Sequence, residues 1–268
     1  MANLTVEAIA TATVPRPSYH PADDYALDPL LREYAEVVCQ YVADNWEADP
    51  RVGFLPDTPE NGVTRLALDW LGPSPAPQPL YLVRSDGDLD PFVASLPRLT
   101  SGREWITDEL TLSHLAASAG TAAFDFLRWS ITDAGATVLF VDQPPVCLLD
   151  SPPERVSAVA LRCSTGTGGA RVVAHGQEGA PQAVEAQASH VFSGTGPCDT
   201  WRALAQAVAD RRVHDDDCVL LRFRGSTSEG WLVLDIRDAA ALTARSDTTE
   251  PDERHATAAL DEPVLPRH

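Results

Sequence analysis

Apolar and polar positions alternate from Leu4 to Val14 among small and β-branched residues, and Pro15 and Pro17 end the run, which predicts a first strand. The period then changes. Asp28-Pro29 opens a helix through Asp44, with Leu30, Leu31, Tyr34, Val37, Val38 and Tyr41 on one stripe. Asn61 is placed to cap a second helix that runs to Leu71 and is stopped by Gly72-Pro73. After the proline-rich connection Pro73 to Pro79, Leu80 to Arg84 reads as a short buried strand and Pro91 to Arg98 as a short helix. Leu110 to Ala116 reads as a strand entering the small-residue segment Ala117-Ser-Ala-Gly120, from which a helix runs to Ala134.

Ala136 to Val141 is a very apolar strand. Val156 to Cys163 and Ala170 to His175 read as a hairpin around Thr165 to Gly169, and Gly176 to Ser189 as a loop. A helix over Cys198 to Arg212 and strands over Cys218 to Arg224 and Gly230 to Ile236 complete the pattern. From Thr243 onward the chain is acidic, polar and proline-containing, and a disordered tail over 243–268 is expected. The order predicts one α/β layered domain with a mixed sheet over residues 1–242, a first half of about 1–175 and a second of about 190–240. The sequence carries no obvious internal repeat.

Composition narrows the partners. The 268 residues are 44% hydrophobic, enough for a substantial core, and the formal net charge of -19 repels phosphate backbones and anionic membrane surfaces alike. Nucleic acid and membrane are therefore not expected as partners. The chain has no lysine and is rich in alanine and proline, the codon bias of a high-GC bacterium. Met1 to Val14 lacks the basic segment and long apolar run of a secretory leader, so a cytoplasmic location is expected. Five scattered cysteines without CxxC spacing indicate buried thiols, with no metal and no cofactor expected.

Several segments, in order, resemble the ketoacyl synthase III branch of the thiolase superfamily. They are Leu4 to Pro15; Val63 to Gly72 with Leu80 to Arg84; Leu112-Ser-His-Leu-Ala-Ala-Ser-Ala-Gly-Thr-Ala-Ala-Phe-Asp-Phe-Leu127 with Ala134 to Val141; Phe192-Ser-Gly-Thr-Gly-Pro-Cys-Asp-Thr-Trp201; and the closing strand pair. The resemblance implies a thiolase-like layered α/β/α fold with mixed sheets and a reduced second half. It also implies that the catalytic cysteine, eight residues before Asp125, is replaced by Ala117, and that the turn asparagine falls at about Gly194. The segment that carries the family's catalytic histidine has no counterpart. An alanine methyl cannot attack a thioester, so a condensing acyl-enzyme is not expected.

Within this frame the candidate catalytic residues are His114 and Ser118, and the candidate anion site is the run of backbone N–H groups from Ala117 through Ser118 and Ala119 to Gly120. Each has a plainer alternative. Ser118 can serve as a helix-start serine satisfying backbone donors, His114 as an interface hydrogen-bonder, and the small residues as a means of close helix packing. His175 and His190 flank the loop that replaces the missing segment. Asp108 and Glu109 read as a solvated pair preceding a strand, and His214 to Asp217 as a surface turn.

Two functions follow as expectations. One is a non-catalytic partner subunit in bacterial fatty-acid-like or specialised natural-product (polyketide) biosynthesis. It would form a homodimer, or a heterodimer with a ketoacyl synthase-like chain, and would meet an acyl carrier protein or acyl-CoA. The other is a repurposed enzyme of elimination, cyclisation or thioester hydrolysis that uses the helix terminus near Ala117.

Overall fold

The computed structural model describes residues 4–26, 32–45, 51–55, 62–84, 100–113, 118–142, 146–150, 153–225 and 228–248. In chain order the elements are β1 Thr5–Pro15, β2 His20–Pro21, α1 Ala22–Ala26, α2 Arg32–Asn45, β3 Val52–Phe54, α3 Val63–Leu71, β4 Gln78–Arg84, β5 Ile106–Leu112, α4 Ala119–Ser130 and β6 Ala136–Asp142. They continue with β7 Val146–Leu148, β8 Arg155–Ser164, β9 Ala170–Gln177, α5 Gln182–Gln187, β10 His190–Gly194, α6 Pro197–Ala209, β11 Cys218–Arg224, β12 Glu229–Ile236 and β13 Thr243–Thr248.

One mixed sheet runs in the order β10-β11-β12-β9-β1-β8-β6-β4-β5, with β13 also paired to β1. β1 is the hinge between two arms, because it pairs with β8 along its length and with β9 only at Thr5 and Val6. Outward from this hinge the arms repeat one plan: each begins with antiparallel neighbours and ends on parallel ones, β6-β4-β5 in one and β11-β10 in the other. The repeat is structural and leaves no trace in the residue pattern. Each arm has four strands beyond β1 among the described residues.

The hairpin expected over 156–175 does not form. β8 and β9 are consecutive in the chain, but β1 lies between them. The chain crosses the start of β1 at Gly169, whose φ is +56° and where a Cβ would fall 2.2 Å from the Val6 carbonyl oxygen, so only glycine fits.

Helices α4 and α6 fill the space between the arms. α4 packs on β9 and β12 from one side and on β4 and β6 from the other; α6 packs on β1, β6 and β8 as well as β10 and β11. The sequence builds this layer by burying Ala123, Phe124 and Leu127 of α4 against Trp201, Leu204 and Ala205 of α6. At its centre the Trp201 ring stacks on Phe124 at 5.8 Å and on Phe140 at 6.3 Å. A second core lies beyond the first arm, where Val63, Ala67 and Leu68 of α3 cover Ala10, Ala12, Leu80, Leu139 and Ala160. α3 begins after Gly62, which makes no side-chain cap, and Asn61 lies outside the described residues, as does the helix expected over 91–98. The loop expected over 176–189 holds the end of β9 and the short α5.

Two further expectations are corrected. β5 starts at Ile106, so Asp108 and Glu109 lie within it; both are exposed, on opposite faces of an edge strand, and mask its pattern. The tail expected from residue 243 opens with β13, which pairs in parallel with Ala8 to Thr13 and closes the edge of β1 that β9 leaves free. Its polar residues hid it, although Leu242 and Ala244 pack on the central core. No helix among the described residues is long and apolar enough to cross a membrane.

A chain cut after Leu242 is expected to lose on the order of 3 kcal/mol of stability, the net worth of several ladder hydrogen bonds, whereas a cut after Thr248 loses little. Urea melts of the two truncations check this.

Candidate functional site

The first feature to place is the N-terminus of α4. His114 and Ala117 lie outside the described residues. Ser118 occupies the helix-start position with φ -68° and ψ -10° and makes no side-chain cap hydrogen bond, so it does not serve as the backbone-satisfying serine; its carbonyl instead accepts the Thr121 hydroxyl at 3.1 Å. Ala119 is fully buried. Gly120 is packed against Phe223 of β11, and a Cβ there would lie 2.4 Å from the ring. Small residues at this helix start therefore admit a large aromatic from the opposite arm.

The matching feature is the start of α6, where the turn from Ser193 to Asp199 is organised around Asp199. One carboxylate oxygen accepts from the Thr195 N–H and hydroxyl, both at 3.2 Å, and from the Gly196 N–H at 3.4 Å. The other takes Arg155 at 2.7 Å and lies 3.6 Å from Arg202. Burial opposes its ionisation, but Arg155 and the Thr195 and Gly196 donors outweigh burial and hold the carboxyl below its usual range. A second carboxylate, Asp142 at the end of β6, accepts the Cys198 N–H at 3.0 Å. Negative charge at this helix terminus is thus supplied by the chain itself.

These carboxylates occupy the places where side chains would otherwise sit. A Cβ on Gly194 would fall 2.3 Å from the Cβ of Asp199, and one on Gly196 would fall 2.3 Å from an Asp142 oxygen. An asparagine at 194 has no room. Cys198 is fully buried, with its sulfur 3.6 Å from the Ser157 carbonyl. Burial, followed by the charge of Asp142, pushes the thiol well above its ordinary range, so it is no nucleophile.

Among the described residues, His175 and His190 do not gather at Ser118. His175 is buried, with 4% side-chain exposure, and its Nδ1 lies 3.4 Å from Asp125. Asp125 is seven residues along α4 from Ser118, a rise of about 10 Å. Burial lowers the His175 pKa against the pull of Asp125, and Arg128 lowers it further. His190 pairs with Asp217 at 3.1 Å on the far strand β10 and stacks on Phe192. Asp217 also accepts the His214 N–H at 2.7 Å, which makes the 214–217 segment a surface turn. No group of three or more His, Cys, Asp or Glu side chains gathers as a metal site among the described residues.

With this geometry in hand, comparison with solved structures decides the fold. ChlB3, an acyltransferase, aligns over 90% of this chain and 100% of its own at 14% identity and a TM-score of 0.58. The 3-oxoacyl-(acyl carrier protein) synthase III FabH from Pseudomonas aeruginosa PAO1 aligns over 88% and 99% at 13% identity and a TM-score of 0.53. The fold is thiolase-like. An HMG-CoA synthase complexed with CoA also aligns, over 88% of this chain and 83% of its own, at 8% identity and a TM-score of 0.57. No family model matches the chain, and no curated protein sequence does. At these identities the likeness establishes the fold of acyl-transfer condensing enzymes and leaves the chemistry to the residues.

Gly120→Ala is expected to cost about 1–3 kcal/mol by overpacking against Phe223, with part of the loss recovered in Gly120→Ala/Phe223→Leu; chemical denaturation of both variants tests it. For Asp199 the sign follows from its depressed pKa. The unfolded value is about 3.9, so the stabilisation from its ion pair and donors is complete above about pH 4 and is lost as pH falls through the lower folded value. Asp199→Asn should therefore be less stable at neutral pH and lose less further stability on acidification than the unmutated protein, as read from melts between pH 7 and pH 2.

Proposed function

We propose that this protein is a non-condensing member of a thiolase-fold assembly, a partner subunit that shapes or stabilises a ketoacyl synthase-like chain. The observation that carries the reading is the filling of both helix starts by the chain's own side chains. Phe223 lies on Gly120 of α4, and Asp199 occupies the space beside Gly194 where a catalytic amide would have to stand. With Ala117 at the nucleophile position, no group of the condensing reaction is in place to form or resolve an acyl-enzyme.

A partner surface supports the reading. β5 is an exposed edge strand, and its Leu110 is the register neighbour of Tyr81, whose ring meets Phe126 edge-on at 5.4 Å. Trp129, one helical turn further along α4, is 89% exposed. Leu110, Phe126 and Trp129 thus extend one apolar patch beside a strand edge that is unpaired among the described residues, the kind of surface that a second chain covers. The partner is a ketoacyl synthase-like chain or a second copy of this one. The similar structures are named for acyl transfer, 3-oxoacyl-(acyl carrier protein) synthesis and tetronic acid condensation, and those names support a role in fatty-acid-like or specialised biosynthesis, with acyl carrier protein or acyl-CoA as the proposed thioester source.

Co-expression with a neighbouring ketoacyl synthase-like chain should give a complex, or the chain alone a dimer, by light scattering. Trp129→Ser, at a side chain 89% exposed, should weaken either one without lowering the melting temperature of the isolated chain. A stable monomer that ignores the partner overturns the reading.

A further inference from the structure

On the face of α6 turned away from α4 lies a cleft of about 560 Å3, whose lining includes the Ser193 to Thr195 turn that precedes the helix. Cys198, Trp201, Leu204 and Ala205 of α6 face the central core, whereas Asp199, Arg202, Ala203 and Gln206 line the cleft. Its opposite wall is the inner face of β1, where the alternation Ile9, Thr11, Thr13 changes from apolar to hydroxyl, joined by Ser246 of β13 and Arg155 of β8. No residue of α4 or β5 contributes to the lining. The volume falls within the range of small-molecule sites, roughly 300–1,000 Å3.

Thr11 is 3% exposed and lines the cleft. The observation that points to a ligand is charge. Two guanidiniums, Arg155 and Arg202, share the single carboxylate of Asp199. Two cations against one anion leave the lining one charge positive, in a chain of net charge -19. Arg155 holds the shorter contact, and Arg202 is left with a 3.6 Å approach as its one ion pair or hydrogen bond among the described residues, so its fork of donors is available.

We infer that this cleft binds a small polar anion, a phosphorylated or carboxylated molecule held by Arg202 and Arg155, with the Thr11 and Ser246 hydroxyls taking its neutral groups. The assignment goes beyond the partner-subunit reading and stands or falls without it. The cleft is completed by the same C-terminal strand that seals β1, so binding and the folding back of β13 are linked.

Isothermal titration of the full chain with inorganic phosphate and, separately, with succinate tests the site against sodium chloride of equal ionic strength. Saturable binding of at least one probe is expected, and the probe preferred tells phosphate from carboxylate. Arg202→Gln should weaken it at least ten-fold. Ala203→Leu, which fills the cleft and leaves every charge in place, should abolish it and serves as the test where Arg202→Gln does not fold. Absence of saturable binding by either probe, or binding unchanged in Ala203→Leu, overturns the proposal.

Discussion

Trp201 stands fully buried between Phe124 of α4 and Phe140 of β6, and the placement of every other group discussed above follows from that stack. The three rings fix α6 to α4 and both helices to the first arm of the sheet. Because the two helices pack between the arms, their relative position sets the position of both helix starts. Removing such a ring leaves a cavity that close-packed surroundings fill only in part, at a cost of several kcal/mol. It would also release α6 from the wall of the cleft.

On that frame the chain substitutes its own side chains for the space a condensing enzyme needs. Gly120 and Gly194 supply no side chain, and Phe223 and Asp199 take the room. The exchange has a thermodynamic logic. A helix start aimed into an empty pocket leaves buried N–H donors unsatisfied, and Asp142 and Asp199 satisfy those of α6 internally. In the first turn of α4, Gly120 packs against the Phe223 ring.

Much of the fold was legible in the sequence because its core elements are strongly patterned. The alternation of Leu4 to Val14, the apolar run of Ala136 to Val141, the helix around Trp201 and the last strand pair all fall where periodicity puts them. What failed to show was long-range or masked by exposure. β8 and β9 look like a hairpin because only tertiary pairing with β1 separates them. β13 and the start of β5 are edge strands whose outward residues are polar, so neither reads as a strand. Some candidate residues were legible as types: Ser118, Ala119 and Gly120 stand out as small, whereas the sequence did not single out Thr11, Arg155 or Arg202. Their neighbours were not legible, since nothing local to Gly120 or Gly194 names Phe223 or Asp199 as the side chain that fills the gap.

The central claim, that this thiolase-like chain forms no acyl-enzyme, meets its most direct test in intact-mass spectrometry after incubation with acetyl-CoA and with acyl-loaded acyl carrier protein. The account predicts an unchanged mass at every time point, in the isolated chain and in any complex it forms. A stoichiometric acyl adduct on this chain would contradict it and would require a nucleophile that the closed helix starts do not provide.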